Sequence, residues 1–257
     1  MLIGTVLFLQ TKRNIYDLML STQGEMIVDC FLREYKATIK KEFVEYGFKV
    51  YRTNFYRVIN DVFQSFNIHR SVSGEEVTVE FLVIPLADSY AIDKSRCGFD
   101  HLKVFENDWS WFHYNRNSEE SIDDCIKEII CYMKKYLIPF FEDTCSCDKI
   151  YCQLQDNKYI DFLQQSKRNV ALKVRDFDLA NHYLNEEIEQ IRFAIAQNKK
   201  ISNNLEFIKS MEEQYQKVIE EKQEFQRYII SKDVAFLDGW IKTNEKNNLQ
   251  NLNWKSK

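Results

Sequence analysis

The segment Phe55–Arg70 holds residues that could do chemistry. Gln64, Ser65 and His69 fall within Val62 to Arg70, and Arg57 stands on the stretch before it. On a strand, side chains alternate, so Ser65 and His69 share one face and Val62, Gln64, Phe66 and Ile68 share the other. If Arg57 lies on an adjacent strand, a polar pocket on the sheet is expected. Arg57 would then anchor an anion, and Gln64 and His69 would donate hydrogen bonds. The plainer reading is that sheet positions serve packing.

A second group is Trp109-Ser-Trp111-Phe-His-Tyr114. Trp and Tyr combine large apolar area with a polar handle and dominate interaction hot spots, so Trp109 and Trp111 are candidate partner contacts. The competing reading places them in the core. A third group, Cys145-x-Cys147-x4-Cys152, has the donor atoms of a metal site but not the spacing. Structural zinc needs four donors, commonly in Cys-x2-4-Cys pairs, and no second pair or nearby histidine follows. The histidines His69, His101, His113 and His182 show no HExxH or HxH spacing. The acids Glu119, Glu120, Asp123 and Asp124 stand at an expected helix N-terminus, where the helix dipole explains them. Neither a catalytic residue nor a metal or cofactor is expected.

Composition narrows the function classes. Among 257 residues there are 35 basic and 39 acidic side chains, a net charge of −4 that gives no footprint for nucleic acid. With 6 Gly and 2 Pro, neither GxGxxG nor GxxxxGK[ST] occurs, which argues against a Rossmann or P-loop nucleotide enzyme. Seven cysteines with no preceding secretory signal fit a reduced, cytoplasmic setting. The apolar run Met1 to Leu9 is about half the roughly 20 residues that span a bilayer, so no membrane association is expected.

These residues need elements to position them. Phe31, Leu32, Tyr35, Ile39, Phe43 and Val44 recur at helical spacing, predicting an amphipathic helix over Met26 to Tyr46 with Gly47 as its C-cap. Ile3 to Leu9 is a further strand candidate and Ile15 to Leu20 a helical turn. Phe48 to Arg52, Phe55 to Ile59, Val62 to Arg70 and Val77 to Leu86 read as strands, joined at Thr53–Asn54, Asn60–Asp61 and Ser73–Gly74. Ala87 to Asn117 reads as a loop with one more short strand. Asn117–Ser118 caps a helix with the stripe Ile122, Ile126, Ile129, Ile130, Met133 and Leu137, and Pro139 is expected to end it. Beyond Cys152 the pattern is helical: short helices at Tyr159 to Leu163 and Asn169 to Val174, then Leu179 to Ala196, Leu205 to Ile230 and Val234 to Ile241.

The predicted fold class is α+β: an antiparallel meander of about four to five strands flanked by amphipathic helices, with an all-helical C-terminal extension. The expected division is an α+β domain over 1–152, a helical hairpin over 153–244 and a flexible polar tail over 245–257.

The order of helix, "YGFKVYRTNFYRV", "VFQSFNIHRS", valine-rich strand, Trp segment and a helix ending "LIPFFED" carries a likeness. It resembles the bacterial proteins grouped as domain-of-unknown-function family 4304, over roughly residues 26–150. The family's Gly-Phe, Phe-Tyr-Arg and Gln-x-Ser or Gln-Ser features correspond to Gly47–Phe48, Phe55–Tyr56–Arg57 and Gln64–Ser65. The lysine often found between that Gln and Ser is absent. The resemblance implies an antiparallel α/β fold and no activity. Ala171–Leu172, Asp176–Phe177, Ala180 and Tyr183 also look like half a tetratricopeptide repeat, but no copy follows about 34 residues on.

The expected function is a non-enzymatic protein–protein interaction module, by analogy with immunity or accessory proteins. The alternative is an enzyme or small-ligand binder using the polar sheet face.

Overall fold

The computed structural model describes residues 30–253 except 90, 96, 97, 99, 109, 157, 160–162, 164–166 and 202–204. The strand expected at Ile3 to Leu9, the turn at Ile15 to Leu20 and most of the helix at Tyr159 to Leu163 lie outside the described residues.

Helix α1 spans Cys30–Phe43 and buries Phe31, Tyr35, Ile39 and Phe43, one stripe at the predicted spacing. A 3-10 turn, Val44–Tyr46, follows. Gly47 closes it at φ +78, and its N–H reaches the Val44 carbonyl at 3.0 Å. That left-handed conformation is the one glycine tolerates best.

The sheet then forms in chain order: β1 (Lys49–Tyr51), β2 (Asn54–Ile59), β3 (Val62–Arg70) and β4 (Glu76–Pro85). All pairs are antiparallel. Two-residue connections set the register. Tyr51 pairs with Asn54 and Ile59 with Val62, with Arg52 at φ 57 and Asn60 at φ 51 supplying the tight reversals. The expected loop over Ala87 to Asn117 contributes two strands of two residues each, β5 (Asp100–His101) and β6 (Phe112–His113). Both pair with β4. A 3-10 turn over Leu102–Glu106 separates them. The predicted antiparallel meander is therefore present, with this split edge added.

Gly98 explains how the loop lies so close to β4. A Cβ there would stand 1.6 Å from the Phe81 carbonyl oxygen, so only glycine fits.

Helix α2 (Glu119–Tyr132) starts at Ser118, whose hydroxyl accepts from Ser121 N at 3.2 Å. Pro139 does not end this helical run. A π turn over Met133–Leu137 intervenes, and α3 (Ile138–Asp143) continues beyond it. Pro139 sits in the first turn of α3, directly after the π turn, whose altered hydrogen-bond spacing lets the helical run continue past it. Helix α4 (Cys147–Gln155) is capped by Ser146, and α5 spans Lys167–Lys173.

The sheet is covered on both faces. On the first, Phe55, Val62, Phe66, Ile68, Val77, Val79, Phe81 and Val83 pack with the apolar stripes of α1, α2 and α3. Rings interlock there: Phe55 and Phe66 stack with centroids 4.9 Å apart, and Phe48 meets Phe66 edge-on at 5.1 Å. On the second face, Tyr56, Phe63, Ile84, Leu86 and Ile92 gather with Leu252.

Leu252 follows the last helix, α8 (Val234–Asn251). Eighteen residues replace the turn or two expected at Val234 to Ile241, and the tail expected over 245–257 is helical through Asn251. The reason is tertiary. Buried Asn248 donates to the Leu86 and Asp88 carbonyls at 2.9 and 2.8 Å and accepts from Ile92 N at 2.9 Å. A polar sequence without a strong stripe is held by one amide that satisfies three backbone groups.

The chain divides into two compact units, one of which holds residues 30–176 with 234–253 and the other Phe177–Asp233. The break expected after residue 152 falls inside α4, and the final helix belongs with the sheet. Among the described residues the second unit is a hairpin of α6 (Phe177–Ile201) and α7 (Leu205–Ile230). Its seam buries Ala180, Leu184, Ile188 and Ile191 against Ile219 and Ile229. Gln226 Nε2 donates across it to Asn181 and Asn185 at 2.7 and 2.8 Å, and Lys222 pairs with Glu187.

No helix among the described residues is long and apolar enough to cross a membrane.

Candidate functional site

Arg57 and Gln64 are register partners on β2 and β3, facing the helices. Both are buried. Arg57 Nε donates to Gln64 Oε1 at 2.8 Å, and its terminal nitrogen donates to the Tyr46 carbonyl at 2.6 Å. Gln64 Nε2 donates to the carbonyls of Phe141 and Thr144 at 2.6 and 3.2 Å. The guanidinium lies 4.6 Å from the centre of the Phe48 ring. Burial pulls the Arg57 pKa down, while Cys145 and Glu142 oppose that shift. This pair ties the end of the first 3-10 turn to the end of α3. The pair bonds within itself and to three backbone carbonyls, the pattern of a structural clamp.

Ser65 and His69 lie on the opposite face of β3, so the pocket expected from Arg57, Gln64 and His69 together is not formed. Ser65 is buried between its ladder partners Tyr56 and Leu82. His69 instead joins Thr78 and Glu80, which the sequence did not single out, together with His101 and Trp111. It pairs with Thr78 across the ladder, and its Nδ1 lies 3.5 Å from Glu80 Oε1. Glu80 in turn pairs with Asn67 on one side and His101 on the other. Trp111 stands edge-on to both histidines, with centroids 5.5 Å from His69 and 5.8 Å from His101. Burial lowers the His101 pKa, which keeps its imidazole neutral near pH 7.

Trp111 is therefore half-buried against the sheet, neither core nor free surface. Trp109 lies outside the described residues. The signal for this cluster was available in the alternation of β4: Thr78 and Glu80 are polar residues in a valine-rich strand, on the face that His69 occupies.

The cysteine group separates. Cys147 opens α4 and is buried beside Asp61, whose carboxylate accepts from Cys147 N at 3.0 Å. Burial, with Asp61 adding to it, pushes the Cys147 thiol up. Cys145 is half-buried and Cys152 is exposed. Among the described residues no group of three His, Cys, Asp or Glu side chains could hold a metal ion.

The hairpin offers another kind of surface. Its seam is buried only at the end away from the α6–α7 turn. Among described side chains in 192–200 and 206–218 none is fully buried. Ile195, Ile208, Met211 and Tyr215 are half-buried, and Phe193 is 58% and Val218 38% exposed. A shallow groove there is lined by Ile195 and by Glu212, Glu213, Gln216, Lys217 and Glu220 of α7.

Comparison with protein-family models, with curated proteins and with solved structures returns no match.

Proposed function

We propose that this chain is a non-enzymatic protein–protein interaction module of the cell interior, and that another protein docks on the turn-proximal half of the α6–α7 hairpin. The observation that carries this reading is the incomplete seam. Two helices bury one stripe each, and here the stripe closes over 180–191 and 219–229 but stays half-covered toward the turn. Apolar surface left beside a polar rim is the pattern of interaction sites. Glu213 and Glu220 rim the groove with Lys217, and Glu212 pairs with Lys199, so the rim's unpaired acids favour a partner with basic residues around an apolar centre. The described cysteines are free thiols, in keeping with a reducing compartment. An immunity or accessory role fits such a module by analogy, and membership of family 4304 would add no activity to it.

The test is affinity purification from the source cell with the wild type and with the double variant Ile208→Asp, Met211→Asp. A protein retained by the wild type and lost by a helical, folded variant supports the reading. Identical partner lists contradict it.

A further inference from the structure

We propose that the second face of the sheet binds a small ligand through a protonated amine, at a site built from Asn67, His69, Thr78, Glu80, His101 and Trp111. The site lies where the sheet edge is split. β6 pairs with β4 at Glu76 and Val77, and β5 pairs with it at Glu80 and Phe81. Thr78 and Val79 fall between these bridges. The side chain of Thr78 is fully buried, and its Oγ1 has no hydrogen-bond partner. The buried Oδ1 of Asn67 has none either. Buried polar atoms are nearly always satisfied, so unpartnered ones on one sheet face point to an absent partner.

The chemistry of that partner follows from the groups around it. Glu80 offers a carboxylate, and Asn67 Oδ1 and Thr78 Oγ1 offer acceptor oxygens. An alkylammonium group has three N–H donors and no acceptor, which matches this set; a carboxylate or phosphate would meet Glu80 with like charge. Trp111 adds an indole, the best aromatic partner for a cation. His69 closes one side through its contact with Glu80 and is itself 41% exposed.

The experiment follows the indole N–H resonance of Trp111 in the full-length protein. The probes are n-butylammonium chloride and n-butanol, its neutral isostere, at constant ionic strength. The expected result is a saturable shift with butylammonium and none with butanol. Affinity should fall at least about tenfold in Glu80→Gln, the loss of one charge-assisted bond of about 1.5–3 kcal/mol. A smaller loss is expected in Thr78→Val, which keeps the side-chain shape. Absence of saturation in the wild type overturns the proposal. Equal shifts in the wild type and Glu80→Gln also overturn it, because they report attraction to a net negative surface. If Glu80→Gln does not fold, unchanged affinity in Thr78→Val overturns it alone.

Discussion

Glu106 shows how much one exposed carboxylate can organise. It accepts from the hydroxyls of Tyr132, at 2.6 Å, and Tyr136, and from Lys135 Nζ at 3.2 Å. The tyrosine hydrogen bonds come first in holding its pKa at about 2, against an ordinary 4.5. The same bond to Glu106 raises Tyr132 to about 12 from 10.0. A carboxyl lowered on folding stabilises the fold above its unfolded value and loses that contribution as pH falls toward about 2. A phenol raised on folding contributes below pH 10 and loses it as pH rises through about 12. The stability advantage of wild type over Glu106→Gln should therefore shrink at both extremes, as denaturant titrations at a series of pH values will show. In the same variant the Tyr132 midpoint should drop toward 10 in an NMR titration. At Arg57 the stakes are packing and satisfaction together. Arg57→Ala strips donors from Gln64 Oε1 and the Tyr46 carbonyl and should cost about 3 kcal/mol in urea unfolding. Arg57→Lys should rescue little, since a point donor does not reproduce the planar fork. From the sequence, Arg57 and Gln64 could be placed on one sheet, but the clamp could not be seen. Its acceptors are carbonyls from residues up to 80 positions away.

The elements followed local rules where local rules sufficed. Helix α7 runs over Leu205–Ile230 as its stripe predicts, and β2, β3 and β4 match the alternating segments. Departures came where tertiary contacts overrode them. Pro139 reads as a stop only if the helix before it keeps its ordinary turn, and the π turn at Met133–Leu137 removes that condition. α8 carries Asn-rich sequence that reads as a tail, yet Asn248 binds it to the loop after β4. Gly98, inside the stretch that reads as a loop, permits a close approach to β4. Gly98→Ala should destabilise by about 2–3 kcal/mol, because its Cβ meets a backbone carbonyl and not a flexible side-chain end. A change below about 0.5 kcal/mol in equilibrium unfolding would show that the loop moves freely and the approach is not needed.

At the level of the whole chain, the separation of a sheet unit from a hairpin unit was half visible. The helical pattern beyond Cys152 marks the helical half, but nothing local marks the return of α8 to the sheet unit. That return leaves two helices as the described part of the second unit, and their seam is fully buried at only one end. The interaction reading rests on this half-covered surface, and the aromatic segment that first suggested a partner contributes Trp111 to the sheet face instead. Amide hydrogen exchange on the free protein and on the complex purified through it tests the central claim most directly. Residues 192–200 and 206–218 should exchange faster than 180–191 and 219–229 in the free protein and become protected in the complex. Protection confined to the sheet unit, with 192–200 and 206–218 unchanged, would contradict the account.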